Sequence, residues 1–448
     1  MLLEQIKAHS AVLRDRPALM AGEEVIRWGE LWPMAQGLAA KLREQGTGPV
    51  ALIGDPGEVW VPVAFVACLL AGRPYLPLDP LLPPAGQGEL LEQAGAVLLD
   101  RQKAEEGFSS GLSCPLPHDP NPIAYQIFTS GSTGTPKGVA VSLGNLEHFL
   151  RWASALPDVA AVLGGTAVGQ ASWSFDLSVA DLYLSLLGGG THVALTGGEK
   201  QDFAALFRRL EASDPSLLVV TPSFLRLCLT EPSFGPARLP RLRTVFSCGE
   251  VLPPAAARRL LDRFPGVALL NAYGPTEATC AVCAVPISRE MCTGPLPIGI
   301  VGEGAVDISL EEGEIVLTGA SVSPRFGGKY STGDLGYVEN GLLYWAGRRD
   351  LQLKYKGYRL EPARIEGALE ALPGVERAAV IPRRDGAGQV KGLTAFVEGA
   401  GLEPEKLAQA LADLLPPSHI PGQWRLLDRM PLTHNGKCDR KRLEEMIQ

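Results

Sequence analysis

No stretch of this chain is apolar for long enough to cross a bilayer. The most apolar run, Val59 to Leu70, holds about a dozen residues where a spanning helix needs roughly 20. It reads as a buried helix, and no membrane insertion is expected. Nor is an export signal expected, since Met1-Leu2-Leu3-Glu4-Gln5-Ile6-Lys7 puts acidic and polar residues where such a signal is apolar. A cytoplasmic location is expected. A basic surplus is missing as well: 41 Lys and Arg against 49 Asp and Glu give a net charge of −8. With no basic stripe, nucleic acid is not an expected partner. Eight cysteines lie scattered at positions 68, 114, 228, 248, 280, 283, 292 and 438, without the spacing of a disulfide framework. Cys280 and Cys283 form a C-x-x-C, yet neither a second pair nor nearby histidines follow, as a zinc site would want. Ordinary buried thiols are expected.

What is present is the composition of a globular chain, 46% hydrophobic and 20% charged over 448 residues, too long for one ordinary core. Helical and strand-like patches alternate. Leu31 to Gln45 has amphipathic helical spacing, while Val50–Ile53, Val97–Leu99, Thr191–Leu195, Leu217–Val220, Thr244–Ser247 and Val267–Leu270 read as buried strands. Phe203 to Leu210 and Ala255 to Phe264 read as helices between them. Such alternation implies layered α/β structure with parallel strands. From Ile308 the pattern changes to short strands with glycine turns, the mark of a small β subdomain. After Gly347-Arg348-Arg349-Asp350 the chain restarts as a compact α+β unit. Two domains are expected, 1–349 and 350–448.

The densest chemical signal is Thr129-Ser130-Gly131-Ser132-Thr133-Gly134-Thr135-Pro136-Lys137-Gly138, directly after the apolar run Ile123 to Phe128. Glycines let backbone N–H groups turn toward an anion, hydroxyls add donors, and Lys137 brings a mobile positive charge. The order is not that of a Walker loop. A flexible surface turn is the plain alternative; a strand feeding this ordered string favours a phosphate cradle. Asn271-Ala272-Tyr273-Gly274-Pro275-Thr276-Glu277 follows a predicted strand. There Asn271 can read a base edge, Tyr273 can stack on a flat ring, Thr276 can donate to a phosphate and Glu277 can hold Mg²⁺. Tyr330-Ser331-Thr332-Gly333-Asp334 offers a carboxylate at a turn, suited to vicinal ribose hydroxyls. Asn435-Gly436-Lys437 sets one lysine on a tight turn.

In this order the strings resemble the adenylate-forming (ANL) superfamily and, within it, the amino-acid-activating adenylation domains. Leu69 to Pro80, Phe175-Asp176-Leu177-Ser178, Gly313-Glu314-Ile315, Gly347 to Lys354 and Leu415 to Pro421 extend the series over nearly the whole chain. Ser174 to Val179, Thr221-Pro222-Ser223-Phe224 and Phe246 to Pro253 are most similar to the D-alanine–D-alanyl carrier protein ligases as a family. The resemblance implies a large N-terminal domain of α/β subdomains plus a small β subdomain, and a small mobile α+β C-terminal domain. It implies that a small amino acid and Mg·ATP give an aminoacyl adenylate and pyrophosphate. The acyl group then passes to the phosphopantetheine thiol of a separate carrier protein, of peptidyl or D-alanyl type; a monomer is expected.

By the same resemblance the phosphate loop, Thr129 to Gly134 with Lys137, holds the β/γ end of ATP. Thr276 takes the α-phosphate and Glu277 the metal. Gly249, Asn271, Ala272, Tyr273, Gly274, Asp334 and Arg348 complete the nucleotide site. Lys437 bridges the attacking carboxylate and the ribose-phosphate oxygen, and Asp350 is the hinge that withdraws it. Asp176 pairs with the α-ammonium; its alternative is an N-cap for the following helix. Leu177, Ala180, Phe246, Cys248, Ala272, Cys280 and Ala281 line the side-chain pocket. Ala180 and Ala272 stand where the ligases carry bulkier side chains, so a side chain larger than methyl is expected to fit. Between Gly299 and Tyr330 the chain is shorter than the family pattern, and a trimmed β subdomain is expected. Two alternatives stay open: an acyl- or aryl-CoA ligase, and a non-catalytic adenylate-binding accessory protein.

Overall fold

The structure is a computed structural model. It describes residues 1–119, 121–129, 136–349, 352–355, 358–386, 389–432 and 438–447. Contacts divide the chain into two units. One comprises Met1–Asp79, Ala94–Ile127 and Val139–Arg349; the other comprises Pro80–Gln93, Phe128–Gly138 and Asp350–Gln448.

The centre of the first unit is an eight-stranded sheet in the order Cys283–Pro286, Ala268–Tyr273, Thr244–Ser247, Leu217–Val220, Thr166–Gly169, Thr191–Ala194, Pro17–Ala21, Glu24–Arg27. Its interior pairs are parallel, and the strands at each edge are antiparallel to their neighbours. Parallel strands need both faces covered, which is why Leu217–Val220 and Thr244–Ser247 are buried throughout, the first wholly apolar and the second apolar at Val245 and Phe246. Alternate residues serve different cores. Leu217, Val219, Phe246, Leu270 and Ala272 join the main core. Leu218, Val220, Val245 and Leu269 pack with the helices Phe203–Ser213, Pro222–Thr230 and Pro254–Arg263 on the other face. The run from Trp60 to Leu70 is a helix buried on all sides, ended by Gly72 in the left-handed region (φ 70°).

A second sheet, Val97–Leu99, Val50–Ile53, Tyr75–Leu78, Ile123–Thr129 and Lys137–Ser142 in spatial order, carries the chain to the phosphate-loop motif. The third sheet is the β subdomain: Gly299–Ile300, Leu342–Arg348, Lys329–Glu339, Glu314–Thr318, Asp307–Glu311, all antiparallel. Between Thr318 and Lys329 a single 3-10 turn, Pro324–Phe326, followed by two glycines at positive φ, makes the connection.

The second unit holds the hairpin Leu353–Tyr355/Tyr358–Leu360 and the sheet Val375–Arg384, Val390–Gly399, Gln423–Leu427. The helices Pro362–Glu370 and Pro404–Ala412 pack on that sheet through Ile365, Leu369, Leu407 and Leu411. The two longer strands extend beyond the apolar segments Ala378–Ile381 and Leu393–Val397 because their polar ends still pair.

Two motifs lie differently from expectation. Asn271 to Tyr273 is the end of the strand Ala268–Tyr273 rather than a loop after it. Tyr330 to Asp334 lies inside the strand Lys329–Glu339, where Ser331 to Leu335 opposes only Val316 to Glu314. A bulge with Gly333 at φ 73° absorbs the excess, so the turn-like composition is local to a strand.

One buried polar contact fixes the helix Leu177–Gly188 to the main sheet. His192, on the strand Thr191–Ala194, is 2.9 Å from an Asp181 carboxylate oxygen, with the residues 1% and 2% exposed. Gly169 makes room for it, since a Cβ there would fall on the Asp181 carboxylate. Gly169→Ala is expected to lower the unfolding free energy by about 1–3 kcal/mol, read as an earlier midpoint in urea.

Candidate active site

Parallel α/β sheets bind ligands outside the carboxyl ends of their strands. Here Leu217–Val220, Thr244–Ser247 and Ala268–Tyr273 run in register side by side. Beyond their ends lie Thr221, which caps the next helix by accepting from the Phe224 N–H, and then Cys248-Gly249 and Gly274. Gly249 sits at φ 95°, and a Cβ there would come within 2.9 Å of the Phe175 ring. At Gly274 a Cβ would meet the Ala281 Cα at 2.6 Å, so only glycine lets the chain at 280–282 lie against this strand.

Asp176 stands at the head of the helix Leu177–Gly188 and is 5% exposed. Its side chain makes no hydrogen bond to that helix's first N–H groups, so it does not serve as the N-cap. Leu177, Ala180, Phe246, Cys248, Ala272, Cys280 and Ala281 all belong to one buried cluster. Burial pushes the Cys280 thiol well up, the Asp176 carboxylate pushes it further, and Cys248 and Asp181 add to this. Asp176 and Cys248 therefore lie close to Cys280. All eight thiols are unbridged, and no cluster of three or more His, Cys, Asp or Glu stands among the described residues.

After Pro275, Thr276–Ala278 forms a 3-10 turn with Thr276 8% and Glu277 6% exposed. The next two residues, Thr279 and Cys280, both have positive φ, 64° and 68°. Such backbone costs about 1–3 kcal/mol per residue and persists only where surroundings enforce it. The enforcing segment is 320–323. Thr279 Oγ1 donates to the Ser321 carbonyl at 2.7 Å, and the Ser323 N–H donates to the Glu277 carbonyl at 2.8 Å. Asn145 anchors the segment in turn, donating from Nδ2 to the Val322 carbonyl at 3.2 Å.

Asp334, 2% exposed, accepts from Trp345 Nε1 (3.1 Å) and Arg348 Nη1 (2.9 Å) on Oδ1, and from Tyr273 Oη (2.7 Å) on Oδ2. Arg348 also donates to the Thr332 carbonyl at 3.2 Å. The Tyr273 ring packs among Ala278, Val282 and Ile315 of the β-subdomain core. Asn271, 3% exposed, donates from Nδ2 to the Pro297 carbonyl at 2.7 Å.

The structure thus brings together Asp176 with the pocket residues, and Tyr273 with Asp334 and Arg348. Thr129 ends its strand nearly buried, and Lys137 starts the following strand exposed. Ser130, Gly131, Ser132, Thr133, Gly134, Asp350 and Lys437 lie outside the described residues. Sequence reasoning missed Trp345, Asn145 and the Asp181–His192 pair. The signals were there: Trp345 and Arg348 end one strand beside a lone aspartate, and a histidine sits alone in an apolar strand.

Mg²⁺ asks of a protein one or two carboxylates, the remainder coming from phosphate and water oxygens. A single nearly buried carboxylate at Glu277 fits that demand.

Comparison with known proteins agrees along the whole chain. The model of the AMP-binding enzyme family matches residues 6–106 and 98–326, and that of the AMP-binding enzyme C-terminal domain matches 364–437. A D-alanine–D-alanyl carrier protein ligase of Bacillus licheniformis is 35% identical over 100% of this chain and 99% of its own. One of Bacillus cereus is 35% identical over 99% and 98%. A Vibrio cholerae adenylation domain solved with glycyl-adenosine-5'-phosphate aligns with a TM-score of 0.83 at 22% identity, covering 100% of this chain and 97% of that one. An NRPS protein containing adenylation and PCP domains, bound to a vinylsulfonamide inhibitor, aligns at 0.80 and 25% identity over 99% and 84%. Two family models matched in order and relatives aligned end to end leave one conclusion: the chain belongs to the AMP-binding enzyme family and has the fold of an adenylation domain.

Proposed function

We propose that this enzyme activates a small amino acid with Mg·ATP and transfers it to the phosphopantetheine thiol of a carrier protein. The observation that carries the reading is Asp176: a nearly buried carboxylate at the head of a helix it does not cap, beside the thiols and alanines of the pocket. A carboxylate in that place can pair with an α-ammonium. An acyl- or aryl-CoA ligase would set bare hydrocarbon against that carboxylate. The relatives named as D-alanine–D-alanyl carrier protein ligases support both the substrate class and the carrier.

In the first step the amino-acid carboxylate oxygen bonds to the α-phosphorus of ATP and pyrophosphate leaves. In the second the carrier thiolate bonds to the acyl carbon and AMP leaves. The protein supplies position and charge rather than covalent chemistry. Asp176 orients the amino acid, Thr276 donates to the α-phosphate, and Asp334 accepts from a ribose hydroxyl. Glu277 would hold Mg²⁺, which would supply charge neutralisation at the phosphates. Thr129 to Gly134 with Lys137 take the β/γ end, and Lys437 serves the attacking carboxylate.

In pyrophosphate exchange with a panel of small D- and L-amino acids, at least one is expected to stimulate exchange. Silence across the panel overturns the assignment. Asp176→Ala is expected to cut kcat/KM for that amino acid by roughly 10- to 150-fold while sparing competition by its des-amino analogue; equal losses make Asp176 structural. Lys437→Ala is expected to abolish most adenylation yet leave thioester formation from supplied adenylate, and parallel loss of both contradicts its assigned role.

A further inference from the structure

Tyr125 lies on the strand Ile123–Thr129 and is the register partner of Tyr75 on the adjacent strand, with the rings stacked 5.5 Å apart. Tyr75 and Tyr183 share a hydrogen bond between their hydroxyls at 3.0 Å. Tyr125 is fully buried, and its hydroxyl has no hydrogen-bond partner among the described residues. An unmet buried hydroxyl costs about 1–3 kcal/mol, so its retention calls for a partner that comes and goes.

Its surroundings say what that partner is. Asp176, Ala180 and Tyr183 recur at i, i+4 and i+7 and so share one helix face. That face meets the tyrosine strands, since Tyr183 bonds Tyr75. Burial pushes the Tyr125 hydroxyl up, and Tyr75, Asp176 and Cys280 push it further. The group is therefore a neutral phenol lying near the carboxylate and the pocket thiol. Tyr125 also belongs to the buried cluster that holds the pocket residues.

We propose that Tyr125 is a second ligand of the substrate's α-ammonium, accepting one of its N–H bonds beside Asp176; this rests on the assignment of the ammonium to Asp176. An ammonium has three donors, and a carboxylate on one side leaves others unmet in a dry pocket. A phenol oxygen accepts one without adding charge.

The test is Tyr125→Phe in the full-length enzyme, using exchange with the stimulating amino acid, competition by its des-amino analogue, and thermal melting. The expected result is a KM for the amino acid raised roughly tenfold, with the KM for ATP and the inhibition constant of the analogue unchanged. The melting temperature of the ligand-free variant is expected to hold or rise, because only an unbonded buried hydroxyl is lost. Tyr183→Phe, which breaks an existing bond, is expected to melt earlier with an unchanged amino-acid KM. An unchanged KM in Tyr125→Phe, equal weakening of amino acid and analogue, or a melting loss like that of Tyr183→Phe overturns the proposal. Failure of the underlying assignment shows separately, as wild-type enzyme that no amino acid stimulates, and takes the proposal with it.

Discussion

A buried carboxylate must be surrounded by donors or expelled, and Asp334 obeys this by recruiting two sheets at once. Tyr273 reaches it from the eight-stranded sheet, while Trp345 and Arg348 reach it from the β subdomain. Those bonds fill three of the roughly four acceptor sites of a carboxylate. The same three bonds join the two sheets around one carboxylate. The bulge at Gly333 lets a strand residue serve this junction, since a regular ladder would carry Asp334 past its partners.

The turn after Gly274 obeys a similar economy. Two successive non-glycine residues in the left-handed region bring Cys280 to the pocket while leaving Glu277 in the preceding 3-10 turn. The conformation is held by the segment 320–323 through both side-chain and backbone bonds, and that segment is fixed by Asn145. Before Tyr330 the connection closes around Pro324–Phe326, and Ser321 to Ser323 hold the turn through their bonds.

Much of this was legible beforehand. The parallel strands declared themselves as short apolar-rich runs, and Val50–Ile53, Val97–Leu99, Leu217–Val220 and Thr244–Ser247 coincide residue for residue with the expected segments, although Val97 and Leu98 are exposed rather than buried. Strand ends were less legible: Asn271 to Tyr273 looks like a loop because polar and glycine residues follow, yet it pairs with Cys283 to Val285. The ribose-motif strand misled for the opposite reason, since Ser331-Thr332-Gly333-Asp334 has turn composition but sits in a bulge. Trp345, Asn145 and the Asp181–His192 pair were harder to read: a local signal marked Trp345 and His192, but the partners lie 11 to 177 residues away in sequence.

The pocket's chemistry grades what it can discriminate. Asp176 leaves the nearby thiol and phenol protonated, because burial and its own charge both oppose their ionisation. Under the proposed assignment, a charged ammonium entering that space would form an ion pair with Asp176 that a des-amino analogue could not. Side-chain size is read against Ala180, Ala272 and Ala281 through apolar contact, worth only about 1–3 kcal/mol per methylene. On the proposed reading, selection for the amino group would follow from the charge of Asp176, and selection among small side chains from the shape of a wall that includes Ala180, Ala272 and Ala281.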